Sequence, residues 1–375
     1  MNWVKENMKK MKKVKKALLL VMLIAVCVVL YFKVFAVNKG TRVIEWNNIY
    51  NEGNLTFFYE NQDSINESTK LKNLNDTYNI SGIISEEETE LKKVIKTTEI
   101  LNTILEYDDV KESLNNNGYD ILKEKGVKKK AAAKDMAITE RDLLLSAGYI
   151  SRVGEFRKKQ PQFEKSPNYY IVEYWSPKYN KWVMVDFLDK GYLEKSNTPL
   201  SAIEVLESDV KELIYVGSST QNDYRKKLEK YLNSYTIAID NTLSSRKSNS
   251  YVTYIKNSKD VDIIVKSNYI NPTIFTQNKD LFSITPGVEA TGEDSRAYLI
   301  LMKKPVSGKE ESLAFVTGAF KDGSIIEECY IKINDGDFEK IKMYKEFELK
   351  KGENTIQLSM NGSEVISTIK IKKDK

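Results

Sequence analysis

The chain of 375 residues contains no histidine and only two cysteines, Cys27 and Cys329. Without histidine it lacks the usual general base at neutral pH and the commonest nitrogen ligand for metals. Cys27 lies inside an apolar run, far from Cys329, so a disulfide framework is excluded. No metal and no cofactor is expected from these residue types. An excess of positive charge is also missing from most of the chain. The net charge is +5, but residues 1–16 hold seven Lys (Lys5, Lys9, Lys10, Lys12, Lys13, Lys15, Lys16) and one Glu. That tail carries +6, so the remainder sums to −1. A near-neutral body offers no basic groove, and no nucleic-acid partner is expected. With 41% apolar and 30% charged residues the composition is that of a globular protein, long enough for two or three domains.

What is present begins with a membrane signal. Ala17 to Phe32 is uncharged and apolar; Lys33 interrupts the run, and Val34 to Val37 continue it. As a helix, residues 17–37 would span roughly 30 Å, the thickness of a bilayer core. Lys33 stands near the far end, where its stem can reach the interface. The lysines before the run place residues 1–16 in the cytoplasm as a basic tail and the body outside the cell. A cleaved signal peptide is the alternative, with Val34-Phe35-Ala36 as an acceptable cleavage site, but the length of the run favours an uncleaved anchor. A lipoprotein at Cys27 is disfavoured by Val26, which stands where a small residue is wanted. The expected location is the cell membrane, single-pass, with an extracellular body.

Residues 38–69 read as a polar, Asn-rich spacer with a strand-like piece at Leu55 to Tyr59, and the polar character runs on to about residue 84. Ser85 and Glu88 have the spacing of a capping box. Leu91, Val94, Ile95, Leu101, Ile104 and Leu105 then follow helical spacing up to about Tyr107. A second helix is expected from about Ala131 to Ala147, with Gly148 as its C-cap residue. Strands follow at Tyr149 to Phe156, Tyr169 to Trp175 and Lys181 to Phe187, the last two joined by a turn at Ser176 to Asn180. Helices on an antiparallel sheet make an α+β domain, assigned to residues 70–215. Residues 216–294 read as a helix, Asn222 to Asn233, plus a β-rich connection with strands at Tyr251 to Ile255 and Val261 to Val265, broken by Pro272 and Pro286. From 295 to 375 alternation dominates. Cys329, Ile331 and Ile333 share a face, Asn334-Asp335-Gly336-Asp337 makes a turn, and Phe338, Ile356, Leu358, Met360, Ile369 and Ile371 continue the pattern of a β-sandwich.

Three segments stand out within 70–215. The first is Ala133-Lys134-Asp135-Met136-Ala137, followed by Leu143-Leu144-Leu145-Ser146-Ala147-Gly148-Tyr149-Ile150-Ser151-Arg152-Val153. The second is Tyr169-Tyr170-Ile171-Val172-Glu173-Tyr174-Trp175, and the third is Lys181-Trp182-Val183-Met184-Val185-Asp186. In this order and spacing they resemble the transglutaminase-like family, whose core is shared with papain-like enzymes. The resemblance implies a nucleophilic Cys at the start of the helix, a His at the start of the second segment and an Asp at the end of the third. Here those positions are Ala133, Tyr169 and Asp186. The C-terminal sandwich, for its part, resembles bacterial immunoglobulin-like domains of surface proteins.

A Cys nucleophile needs a thiolate and a base oriented by a third group, and only the third group is present. Ala133 has no nucleophilic atom, and a Tyr with an ordinary pKa near 10 is a poor base. The expectation is a catalytically inactive domain, with Asp186 accepting a hydrogen bond from Tyr169. The old cleft, bordered by Tyr169, Glu173, Trp175, Trp182, Asp186 and Arg152, is the candidate groove for a cell-wall peptide or glycan or another surface protein. The plainer reading makes Trp175 and Trp182 core aromatics and gives Arg152 a carboxylate or carbonyl partner. An enzyme using Glu173 with Asp186 as an acid–nucleophile pair is the alternative, provided that both point to one face.

Overall fold

The computed structural model describes residues 41–47, 57–125, 129–158, 166–248, 251–256, 273–287, 297–303, 314–321 and 324–373. The apolar run 17–37, the expected strand at Val261 to Val265 and Pro272 lie outside them. Among the described residues no helix is long and apolar enough to cross a membrane. The fold is mixed α+β with several antiparallel sheets.

Strand β1 (Thr41–Asn47) precedes a helical run: α1 (Gln62–Glu67), α2 (Thr69–Tyr78), α3 (Ile80–Ser85) and α4 (Glu90–Ile104). After β2 (Glu106–Tyr107) come α5 (Gly118–Lys125), β3 (Lys130–Ala131) and α6 (Ala133–Ser146). Two expectations are corrected here. Ser85 closes α3 instead of opening a helix, its hydroxyl donating to the Gly82 carbonyl at 2.6 Å. The next helix takes Thr89 as N-cap, its side chain accepting from the Lys92 amide. The stretch read as a spacer is also partly built into the fold, because Ile65 of α1 is buried with Leu71, Ile84, Leu101, Met136 and Leu144 in one core. The α6 stop agrees with the sequence: Gly148 takes φ +87°, and its amide returns to the Leu145 carbonyl at 2.9 Å.

Next come β4 (Ser151–Arg157), β5 (Asn168–Ser176) and β6 (Lys181–Val185), followed by β7 (Tyr192–Lys195), β8 (Thr198–Pro199), α7 (Ala202–Glu207) and β9 (Ile214–Val216). Helix α8 (Gln221–Leu228) leads to β10 (Ser234–Ala238), β11 (Tyr251–Ile255) and β12 (Thr273–Thr276). The central sheet has the order β12-β11-β10-β4-β5-β6. Half of it therefore comes from the stretch expected to be a connection, and residue 215 is not a boundary. A local alternation pattern cannot show which distant strand a segment joins. The helix expected over Asn222 to Asn233 is shorter, giving way to a 3-10 turn at Glu229–Tyr231.

Strands β13 (Tyr298–Lys303), β14 (Ala314–Lys321), β15 (Ser324–Ile325), β16 (Glu328–Ile333), β17 (Glu339–Lys342), β18 (Tyr344–Glu348), β19 (Gly352–Ser359) and β20 (Ser367–Lys373) complete the chain. They form two antiparallel sheets, β1-β20-β19-β16-β17 and β13-β14-β15 with β18 on β14. Leu299, Phe315 and Phe320 of one sheet and Ile331, Ile356 and Ile369 of the other share a core. The partner of β20 is β1, with Thr41 opposite Lys373. The first described strand thus closes against the last.

Helix α6 buries three acids, of which Asp135 pairs with Lys125 and Asp142 with Arg141, while Glu140 has a hydroxyl neighbour instead. Glu140 of α6 is fully buried, and burial pushes its pKa up to about 8, the bond to Thr97 only partly opposing this. The Thr97 hydroxyl oxygen lies 2.7 Å from the Val94 carbonyl and 2.6 Å from Glu140 Oε1, while Oε2 has no partner. One hydroxyl proton cannot serve both oxygens. A protonated Glu140 resolves the count by donating to Thr97, which donates to Val94. The unfolded carboxyl ionises near its ordinary 4.5 and the folded one near 8. The unfolded state therefore holds fewer protons across that window, and stability falls as pH rises through it, by a few kcal/mol on the order of 1.4 per pKa unit. Urea unfolding of the full chain from pH 5 to 9 should show that decline, and Glu140→Gln should flatten it.

Candidate functional site

Arg152 on β4 and Glu173 on β5 are direct cross-strand neighbours. Both are almost fully buried, and the guanidinium meets Glu173 Oε2 through Nη2 at 2.7 Å and Nε at 2.8 Å. Two buried charges are tolerated only when every remaining polar atom is satisfied. Here Arg152 Nη1 donates to Tyr59 Oη at 3.1 Å and Nη2 to the Phe282 carbonyl at 2.7 Å. Glu173 Oε2 also accepts from Tyr235 Oη at 2.6 Å. Its Oε1 accepts from the Ala202 amide at 2.8 Å, at the N-terminus of α7, where the helix favours an anion. The Arg152 guanidinium lies 4.0 Å over the Trp182 ring. Burial alone would lower the Arg152 pKa, but the Glu173 carboxylate together with Tyr59 and Tyr235 outweighs it and holds the group above its ordinary value.

The sequence does not single out Tyr59, Tyr235 or Phe282. One signal was available. Gly154 interrupts the interior of β4, and a Cβ there would sit 2.1 Å from Tyr235 Oη. A glycine inside a strand marks a close approach, in this case the phenol on its way to Glu173.

Tyr169 and Asp186 are brought together as expected. The Tyr169 hydroxyl donates to Asp186 Oδ2, and Oδ1 accepts from the amides of Leu188 at 3.1 Å and Asp189 at 3.0 Å. Both residues are buried. Burial raises the Asp186 pKa, with Tyr169 and Lys227 pulling the other way. Burial first, then the Asp186 charge, push the Tyr169 phenol well above its ordinary value. Tyr231 packs 5.3 Å from the Tyr169 ring, and Lys227 Nζ lies 4.9 Å from it. At neutral pH the phenol is a fixed donor and not a base.

Ala133 opens α6, whose first turn pairs Lys134 with Glu112 at 3.5 Å and Asp135 with Lys125 at 2.7 Å. On β5, Val172 and Tyr174 pack with Met136, Ala137 and Leu144 of α6. Tyr169 and Ile171 belong to the opposite face, with Ile203, Tyr215, Tyr224 and Leu228. The structure thus unites Tyr169 with Asp186, while the helix that Ala133 opens packs on the other face of β5. Of the six candidate groove residues, Tyr169, Glu173, Trp182, Asp186 and Arg152 are buried, and only Trp175 is half-exposed. Trp175 meets Trp182 edge-on at 5.6 Å, the core-aromatic arrangement. Glu173 lies opposite Met184, so Asp186, two residues further, points to the same face. Parity permits an acid pair there, but both carboxylates are fully buried and neither borders an open cleft.

Removing Arg152 strands a buried carboxylate. Arg152→Met should cost about 3–5 kcal/mol, and adding Glu173→Gln should recover part of that loss. Tyr169→Phe should cost only about 1–3 kcal/mol, since Asp186 keeps two amide donors. Urea unfolding at pH 7 checks the order.

No family model and no curated protein matches the sequence. Among solved structures, a candidate cysteine protease from Cytophaga hutchinsonii is similar over 42% of this chain and 47% of that chain, at 12% identity and a TM-score of 0.27. The chain thus spans about half the length of that protein, and a likeness this slight carries no argument about chemistry.

Proposed function

We propose that the chain is a membrane-anchored, extracytoplasmic binding and scaffolding protein whose transglutaminase-like domain performs no acyl transfer. One observation carries the reading. The position matching the family nucleophile is Ala133, and those matching the base and its orienting carboxylate form a Tyr169–Asp186 pair enclosed in the core. Acyl transfer by the family mechanism needs a thiolate and a proton acceptor, and these residues supply neither. The Glu173 with Asp186 alternative loses its support, because both Glu173 oxygens are already occupied by Arg152, Tyr235 and Ala202.

The lysine-flanked run 17–37 supports the anchor. The next described strand, β1, lies at the edge of the C-terminal five-stranded sheet. In this reading the C-terminal two-sheet unit, immunoglobulin-like in its alternation, stands nearest the membrane. The partner is a peptide of the cell surface. Cells carrying the full chain test the proposal. External protease should remove the body, wall peptides should retain the chain, and no amine should be incorporated into glutaminyl peptides. A body protected from external protease, or turnover that Asp186→Asn abolishes, would overturn it.

A further inference from the structure

The Arg152–Glu173 pair is not covered by the sheet itself. Residues 279–284 lie over it as a strap, a 3-10 turn at Lys279–Ser283 followed by Ile284. Phe282 is buried, 5.7 Å from the ring of Tyr235 and 6.0 Å from that of Tyr254. The turn ends with carbonyls that have no partner inside it, and side chains of the sheet take them up. Arg152 Nη2 donates to the Phe282 carbonyl at 2.7 Å and Trp182 Nε1 to the Ile284 carbonyl at 2.9 Å. Among the described residues, no main-chain to main-chain hydrogen bond joins 279–287 to the sheet. The strap is held by one aromatic plug, the adjacent Leu281, the half-buried Ile284 and two side-chain donors, while Lys279, Asp280 and Ser283 are exposed.

Along its edge the packing is incomplete. A half-open cavity of about 190 Å³ separates Lys279, Asp280, Phe282 and Ser283 from Lys181, Trp182, Ile203 and Glu207 on the other side. We propose that the strap is the internal occupant of a peptide-binding site, displaced when a partner peptide presents the same chemistry: a turn with a buried aromatic side chain and two carbonyl acceptors. The occupant must be of that kind. A vacated site would leave the Arg152 and Trp182 donors buried and unsatisfied, which makes exchange cheaper than simple opening. The binding role itself rests on the function proposed above; this names the site and the class of ligand.

The probe is a labelled peptide of residues 277–286, titrated into the full chain in detergent. Phe282→Ala loosens the strap and empties the aromatic pocket. That variant should bind the peptide at least about tenfold more tightly than the unmodified chain, a difference of ~1.4 kcal/mol. The same peptide with alanine at its Phe should not bind either. Hydrogen exchange keeps the test open if Phe282→Ala folds poorly. In the unmodified chain, amides of 279–284 should exchange faster than those of β10 and β11, and excess peptide should speed them further. Equal binding of both peptides, or strap amides as protected as the sheet, would overturn the proposal. A concentration-dependent dimer formed by trading straps between copies would overturn the assignment of the site to a partner peptide, making a second copy its occupant. Retention on wall peptides without any binding of the probe would sink this inference alone and leave the scaffolding role intact.

Discussion

The buried pair of Arg152 and Glu173 is the point on which the central domain depends. It gathers Tyr59, Trp182, Ala202, Tyr235 and Phe282, residues that span most of the described chain. Its stabilising value is not the ion pair alone. Two charges brought out of water roughly cancel their attraction, so the net gain comes from completing every donor and acceptor around them. Each of those partners has to arrive from its own segment. The arrangement fixes the register of β4 on β5, seats the N-terminus of α7 and determines where the chain must return after β12.

Seen from that pair, the neighbouring Tyr169–Asp186 contact is a second enclosed polar unit on the same sheet face. A hydrogen-bonded phenol and carboxylate satisfy one another without water, and burial keeps the proton on the phenol. A group that must give or take a proton during turnover needs a pKa near the working pH and a path to substrate. This unit has neither. The same residues that would orient a catalytic base instead lend rigidity to a core.

Much of this was legible in the sequence, and the parts that were not share a cause. Helix α6 with its stop at Gly148 and the β5–β6 hairpin follow from spacing and local turn chemistry, and the Tyr169–Asp186 contact from the family resemblance. The pairing of β10 to β12 with β4, and of β1 with β20, does not, because a strand's alternation says which face it buries and not which strand it joins. Of the six groove residues, Trp182 lines the half-open cavity beside the strap and Trp175 is half-exposed, while Tyr169, Glu173, Asp186 and Arg152 are enclosed. Nothing local to Arg152 or Trp182 announces that Phe282 and Ile284 will return to cover them. Glu140 was passed over for a similar reason: its burial depends on α4, whose start the sequence placed at Ser85 when Thr89 is the cap.

The claim that governs the account is that Ala133 and Tyr169 do not share a catalytic centre. Ala133→Cys supplies the family cysteine in the full chain, and its combination with Tyr169→His supplies both family residue types. With Cys27→Ser as background, the rate of thiol alkylation against pH then reports the thiolate at position 133, since Cys329 is buried and its own pKa is pushed up to about 11. The account predicts one and the same profile for both variants, unaffected by Asp186→Asn. A thiol pKa that falls by a unit or more only when the histidine is present, and recovers with Asp186→Asn, would contradict it.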